Sequence, residues 1–301
     1  MASKKNLPRP KKEVGRSSSP RPSVTEPPTF TVTFFPPGFW KTQIFPVSIL
    51  ALLAFVLYGT TIGFGYLQDD QLVTWGNIFV QKGFGGLVDI FGNDSLLGYY
   101  VEKEKLLEGG RYRPLPLMTF AIEVGILGKS NPAVSHFINV LLYSFTGLAL
   151  YRILLGLFPL REGGSKFFNL PFLATILFLV HPLHTEVVAN VKGRDEILAL
   201  LGSLGALYGT LKYFDTGKRK WLWIAAASFF LGLLSKENTT TFLAVIPLTL
   251  WMFSKISSAR IFTACLLLLG ATILFLLFRL GALGYLQHTK TLDLMALNPF
   301  V

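Results

Sequence analysis

The sequence predicts an all-α polytopic membrane protein, a bundle of about seven transmembrane helices with a long first extracytoplasmic loop that contains interfacial helices. Three observations predict it. Hydrophobic residues make up 51% of the 301 and mean hydropathy is +0.50, which leaves too little polar surface to clothe a soluble globule. The apolar residues gather into runs that can cross hydrocarbon. The basic residues between those runs fall at alternate connections, as the positive-inside rule requires. A net charge of +11 could suggest nucleic acid, but the Lys and Arg lie in the N-terminal tail and in short connections rather than on one amphipathic face, so no nucleic-acid partner is expected. The single cysteine, Cys265, sits in an apolar run, which excludes an internal disulfide framework, a CxxC redox pair and a thiolate metal site.

Each element follows in chain order. Residues 1–41 are rich in Lys, Arg, Pro and Ser without periodic apolar positions, and are expected to form a disordered basic cytosolic tail. The tail is too long and polar for the n-region of a cleaved signal peptide, and the run from about Gln43 to Gly65 exceeds an h-region, so it is read as a retained first span that opens the membrane domain, residues 42–301. Further runs fall near Val134 to Phe158, Leu170 to Val180, Ile197 to Tyr213, Trp221 to Leu234, Thr241 to Phe253 and Ile261 to Phe278. Several are short enough to need companions or tilt. With the tail cytosolic, Arg161 and Lys166, then Lys212, Lys218, Arg219 and Lys220, then Lys255 and Arg260 all fall inside. Residues 67–131 then form the long outside loop, whose apolar stretch Leu115 to Leu127 is read as an interfacial helix because counting it as a span breaks the charge alternation.

Ionisable residues beside a membrane are costly and point to function. Asp69 and Asp70 follow the first span. Arg111 and Arg113 end the long loop. His181, His184, Glu186, Lys192, Arg194 and Asp195 lie between the third and fourth runs, and Lys236 and Glu237 between the fifth and sixth. All map outside, which suits charged chemistry on a substrate whose other half is lipid. Structural readings stand beside this one: Asp69–Asp70 as a solvated helix end, the His181 to Asp195 stretch as mutually satisfied polar groups, Lys236–Glu237 as a simple ion pair. Two His three residues apart followed by Glu invite zinc, but Pro182 disfavours a regular helix there and HExxH spacing is absent, so no metal site is expected. Asn93-Asp94-Ser95 and Asn238-Thr239-Thr240 fit the N-glycosylation pattern.

The Asp69-Asp70 pair, Tyr112-Arg113-Pro114-Leu115, Ser135-His136-Phe137-Ile138-Asn139-Val140-Leu141-Leu142, His181-Pro182-Leu183-His184-Thr185-Glu186 running into Gly193-Arg194-Asp195, and Leu233-Leu234-Ser235-Lys236-Glu237 together resemble the transmembrane and TPR-repeat-containing protein O-mannosyltransferases, in order and spacing, over about Tyr66 to Phe253. The resemblance implies a GT-C-like membrane domain and inverting transfer of mannose from a polyprenyl (dolichyl) phosphate carrier to Ser or Thr hydroxyls of an acceptor protein on the luminal or extracytoplasmic side. By that analogy Asp69 or Asp70 is the general base, Asp69 being favoured. Arg113, Arg194 and Lys236 hold the donor phosphate, and Arg111, His181, His184, Glu186, Asp195 and Glu237 bind sugar or acceptor or order the other groups. The implied partners are the lipid-linked donor, the acceptor protein and membrane lipids. No covalent cofactor is implied, and divalent-metal assistance is left open. The membrane is that of the endoplasmic reticulum in a eukaryote or the inner membrane in a bacterium.

The family carries further spans and a helical repeat array, whereas this chain stops at Val301 with no repeat period; an N-terminal portion of a longer protein is expected. Two alternatives remain: a GT-C enzyme that glycosylates a lipid or glycan, and a transporter, for which ionisable residues at the bilayer midplane and repeated halves are expected.

Overall fold

The computed structural model describes residues 34–35, 38–101, 110–160 and 164–283. The expectations for residues 1–33, for Arg161 and for the chain end after Leu283 lie outside the described residues. Among the described residues every regular element is a helix, in the order α1 Phe39–Tyr58, α2 Ile78–Gln81, α3 Leu87–Gly92, α4 Leu97–Tyr100, α5 Pro114–Leu127, α6 Pro132–Leu157, α7 Leu170–Leu179, α8 His184–Ala189, α9 Arg194–Thr216, α10 Lys220–Ser235, α11 Phe242–Phe253 and α12 Ser258–Leu283. The chain is thus an all-α polytopic membrane protein.

Each of the apolar runs read from the sequence is a helix, but their lengths differ. Four described segments are long and apolar enough to cross a membrane, Thr42–Gly63, Pro132–Leu157, Val191–Thr216 and Ser258–Leu283. The helices α7, α10 and α11 have 10, 16 and 12 residues. At about 1.5 Å per residue these fall short of a hydrocarbon core of about 30 Å. Local chemistry sets the boundaries. Asn131 caps α6 by accepting from Ala133 N at 3.1 Å with Pro132 in the first turn, and Asn169 caps α7 by accepting from Phe172 N at 3.0 Å. Gly128, at φ 75°, ends α5 in a left-handed conformation that a side chain would strain.

The helices α9 and α10 form an antiparallel hairpin held close by small residues. A Cβ on Gly202 would lie 2.7 Å from the Cα of Gly232, so a larger residue there would force the two backbones apart. Across the bundle, Tyr151 of α6 donates to Gln43 Oε1 of α1 at 2.8 Å. Phe34 and Phe35 are buried, although they fall in the stretch expected to be a disordered tail. Phe35 packs on Gly156 of α6, beside Tyr208 of α9 at 4.9 Å and under the guanidinium of Arg152 at 4.3 Å. Two adjacent aromatics supply the apolar area that the basic segment before them lacks. The interfacial reading of Leu115 to Leu127 captured one side of α5. Ile122, Ile126 and Leu127 are exposed, while Leu117, Phe120, Ala121 and Val124 are buried, packed among the loop helices α2 and α3.

Candidate functional site

The reactive residues come together where α1 ends, α5 begins, α9 begins and α10 ends. The connection after α1 turns through Gln68–Leu72, and its two acids have opposite fates. Asp70 is 0% exposed. Its Oδ2 accepts from Leu67 N at 2.8 Å and its Oδ1 from Lys192 N at 2.8 Å, so it pins the first loop to the turn Val191–Gly193 before α9. The Asp69 side chain is 59% exposed, and its Oδ2 lies 2.6 Å from Lys192 Nζ. That hydrogen bond, then the charge of the same ammonium, holds the Asp69 carboxyl below the usual carboxylate range, with Arg111 adding to it. One acid is structural cement; the other faces solvent, ionised.

Arg111 and Arg113 reach Asp195 Oδ2 at 3.3 and 2.9 Å, and Arg113 also reaches Glu237 Oε2 at 2.9 Å. Burial works to lower the Arg113 guanidinium, but Glu237 and Asp195 more than offset it and the net direction is up. Burial likewise works to raise the Glu237 carboxyl, and Arg113 carries it below its ordinary value. Lys236 pairs with Glu196 in the first turn of α9. The loop before α5 is fixed from behind: Asp94 Oδ2 accepts from Arg111 N at 2.6 Å and Ser95 Oγ from Arg113 N at 2.7 Å. Burial pushes the Asp94 carboxyl up even though backbone N–H groups oppose it. The Asn93-Asp94-Ser95 sequon therefore belongs to the scaffold, its Ser95 buried, which makes Asn93 a poor acceptor for glycosylation once the chain has folded; Asn238 and Thr240 of the second sequon are exposed.

Arg194 is placed differently from its neighbours. Its side chain is 0% exposed and ion-paired with Glu123 of α5. It also donates to Asn139 Oδ1 at 2.8 Å, Thr119 Oγ1 at 2.9 Å and the Ser135 carbonyl at 2.9 Å, while the Phe120 ring lies 3.9 Å from the guanidinium carbon. To meet a donor phosphate, as the sequence resemblance implied, it would have to leave a buried carboxylate unpaired. Its geometry suits it to fastening α5, α6 and α9 together under the site.

His184, Glu196, Asn238 and Thr239 line a cleft of about 330 Å³ together with Tyr143, Phe178, Ile197, Leu200 and Phe242. His184 Nδ1 lies 2.8 Å from both the Phe178 carbonyl and the Tyr143 hydroxyl; burial lowers the pKa of the ring, and His181 adds to this. His181 and Glu186 are exposed. His181 Nδ1 accepts from Leu183 N at 3.3 Å, and neither residue joins the ion cluster. Among the described residues no group of three or more His, Cys, Asp or Glu is spaced to hold a metal ion.

Sequence reading did not single out Glu123, Glu196 or Tyr143, and it took Asp94 and Ser95 only as part of a glycosylation sequon. A signal existed for Glu123, an acid inside an otherwise apolar helix. Asn139 lay unremarked inside the Ser135 to Leu142 motif.

Fold and site define a polytopic α-helical membrane protein with a cluster of acids and cations at one end of its bundle, beside a cleft lined by polar and apolar side chains. The chain is a relative of the protein O-mannosyl-transferases. It is 35% identical to protein O-mannosyl-transferase TMTC4 of Mus musculus over 149 residues, 44% of this chain and 20% of that protein. It is 30% identical to TMTC1 of Homo sapiens over 175 residues, 57% of this chain and 19% of that protein, and 29% identical to TMTC2 of Homo sapiens over 216 residues, 65% of this chain and 23% of that protein. The matched stretch thus spans about a fifth of the length of these curated relatives. No protein-family model matches the chain, and no solved structure matches it.

Proposed function

We propose that the chain forms the membrane-embedded catalytic part of a protein O-mannosyltransferase, moving mannose from a polyprenyl (dolichyl) phosphate to a Ser or Thr hydroxyl on the luminal or extracytoplasmic side. The observation that carries the reading is the convergence of Asp69, Lys192, Arg111, Arg113, Lys236 and Glu237 beside a cleft lined by both polar and apolar side chains. A lipid-linked sugar phosphate has that same mixed character. The relatives' names supply the sugar and the acceptor class.

In the proposed reaction the acceptor oxygen attacks the anomeric carbon from the face opposite the phosphate. The bond from that carbon to the phosphate oxygen breaks, its electron pair leaves with the lipid phosphate, and the hydroxyl proton passes to the Asp69 carboxylate. A base must be ionised and reachable, and Asp69 is both, whereas both oxygens of Asp70 already accept backbone N–H groups. The leaving phosphate gains charge as the bond breaks, so cations fixed beforehand stabilise the transition state more than the ground state. Arg111 and Lys236 serve there, steadied by Asp195 and Glu196. Arg113, gripped by two carboxylates, and Arg194, sealed below, hold the array in shape. His184 and Glu196 offer the cleft hydrogen-bonding groups suited to sugar hydroxyls.

The test is transfer from radiolabelled dolichyl phosphate mannose in membranes carrying the protein, with Asp69→Asn beside it. Label on protein Ser or Thr that disappears in the variant, at unchanged membrane abundance, is the expected result. Label on lipid or glycan would transfer the chain to the other glycosyltransferase class, and full activity in Asp69→Asn would remove the base.

A further inference from the structure

We infer that Lys192 acts as a phosphate-triggered release for the Asp69 carboxylate, pairing with it while the site is empty and exchanging it for the lipid phosphate as that group gains charge in losing the sugar. The inference rests on the donor reading above and adds a residue and a coupling to it.

Three features of Lys192 separate it from the other cations of the site. Its main chain is clamped, since its N–H is shared by Asp70 Oδ1 at 2.8 Å and Asn190 Oδ1 at 3.1 Å. Gly193, next in the chain, packs so closely that an added Cβ would strike the Val187 carbonyl. The head is loose by comparison: the ammonium sits on a flexible four-carbon stem, the side chain is 24% exposed, and among the described residues its hydrogen bond is to Asp69 at 2.6 Å. The head can therefore move while its anchor stays fixed. The pair it would leave is also the most open ion pair of the cluster, with Asp69 at 59% exposed, and exposed pairs are weak because water competes for both partners.

Lys236 is the nearest counterpart, a lysine with one carboxylate partner, but it and Glu196 are less open at 18% and 38% exposed. Arg194 is sealed and Arg113 is held by two carboxylates. Arg111 shares Asp195 with Arg113. An ammonium carries three N–H donors; the donor's phosphodiester brings one negative charge on two free oxygens, as a carboxylate does, whereas the monoester left when the sugar departs brings nearly two on three. The exchange therefore comes to favour phosphate as the sugar leaves.

The consequence falls on the base. The charged groups acting on Asp69 are Lys192 from the turn before α9 and, more weakly, Arg111 from the segment before α5. When Lys192 turns to phosphate, Asp69 loses its main stabilising partner and its proton affinity rises toward that of an ordinary carboxylate. The base thus strengthens as the leaving phosphate gains charge, and stays quiet otherwise.

Binding to purified full-length protein in detergent micelles tests the exchange without relying on turnover, with dolichyl monophosphate as probe and dolichol as its uncharged control. If Lys192 must leave Asp69 to meet phosphate, Asp69→Asn binds dolichyl monophosphate roughly tenfold more tightly than the parent, Lys192→Gln roughly tenfold more weakly, and the double variant no more tightly than Lys192→Gln. Lys192→Arg keeps the charge and retains binding, which guards against a simple folding defect. Affinity unchanged in Asp69→Asn, or tightened equally when Lys192 is absent, overturns the exchange while leaving the donor reading intact. Dolichol binding to the parent as tightly as dolichyl monophosphate overturns the donor reading itself, and the exchange with it.

Discussion

Lys192 and Arg194 stand two positions apart in the chain, yet they belong to opposite kinds of ionic region. Arg194 is locked against Glu123 under an aromatic ring, with Asn139, Thr119 and Ser135 accepting from three more of its N–H groups. Lys192 reaches outward to a carboxylate in contact with water. The difference is access to solvent. A buried pair is costly to break because the partner left behind has no water to turn to, whereas an exposed pair can be broken and remade by whatever anion approaches. The sealed region gives the site its shape, and the open rim gives it something to react with.

The sharpest way to break this contrast is Arg194→Met, which leaves Glu123 unpaired in the interior. A loss of about 3–5 kcal/mol is expected, read as a collapse in thermal stability in detergent and in membrane abundance. A smaller effect belongs to Asp70→Asn. An amide keeps the shape but presents an NH₂ where a carboxylate oxygen accepted from Leu67 or Lys192, so a destabilisation of about 1–3 kcal/mol is expected from the same assay.

Smaller again is the acid sensitivity of the Arg113–Glu237 pair. The folded carboxyl lies below its ordinary value, so its contribution is full above the unfolded carboxyl value of about 4.3 and is lost as pH falls through the folded one. With Glu237 partly exposed, no more than about 1 kcal/mol is expected. The stability gap between the parent and Glu237→Gln should be present at pH 7 and close at low pH; a gap that widens on acidification would contradict the assignment. The smallest change in stability, within about 0.5 kcal/mol, is expected for Asp69→Asn, although under the proposed function that variant is expected to lose transfer. Asp69→Asn and Asp70→Asn therefore form a pair of controls: one fails in activity at full abundance, the other fails in both.

Much of this was legible in the residues. Every apolar run is a helix, because in hydrocarbon a helix satisfies its own backbone hydrogen bonds, and the caps at Asn131 and Asn169 stand in the sequence. The gathering of Asp69, Arg113, Asp195 and Glu237 in one place followed from counting spans and charges. Other features were hidden. Phe34 and Phe35 are aromatics in a stretch read as a tail, and only α6 and α9, once in place, decide that they are buried. Glu123 was assigned to an interfacial helix, and nothing local announces that its carboxylate meets a guanidinium 71 residues away.

The sequence by itself determined the class of the protein, the helical elements and the end of the bundle where charge collects, because hydropathy and charge act along the chain and need no partner to be read. Only the tertiary structure decided which of two adjacent aspartates faces water and which arginine is sealed. Those outcomes depend on burial and on the geometry of residues brought from distant helices, and a carboxylate or guanidinium is the same in a sequence whether it meets water, a backbone N–H or its opposite charge.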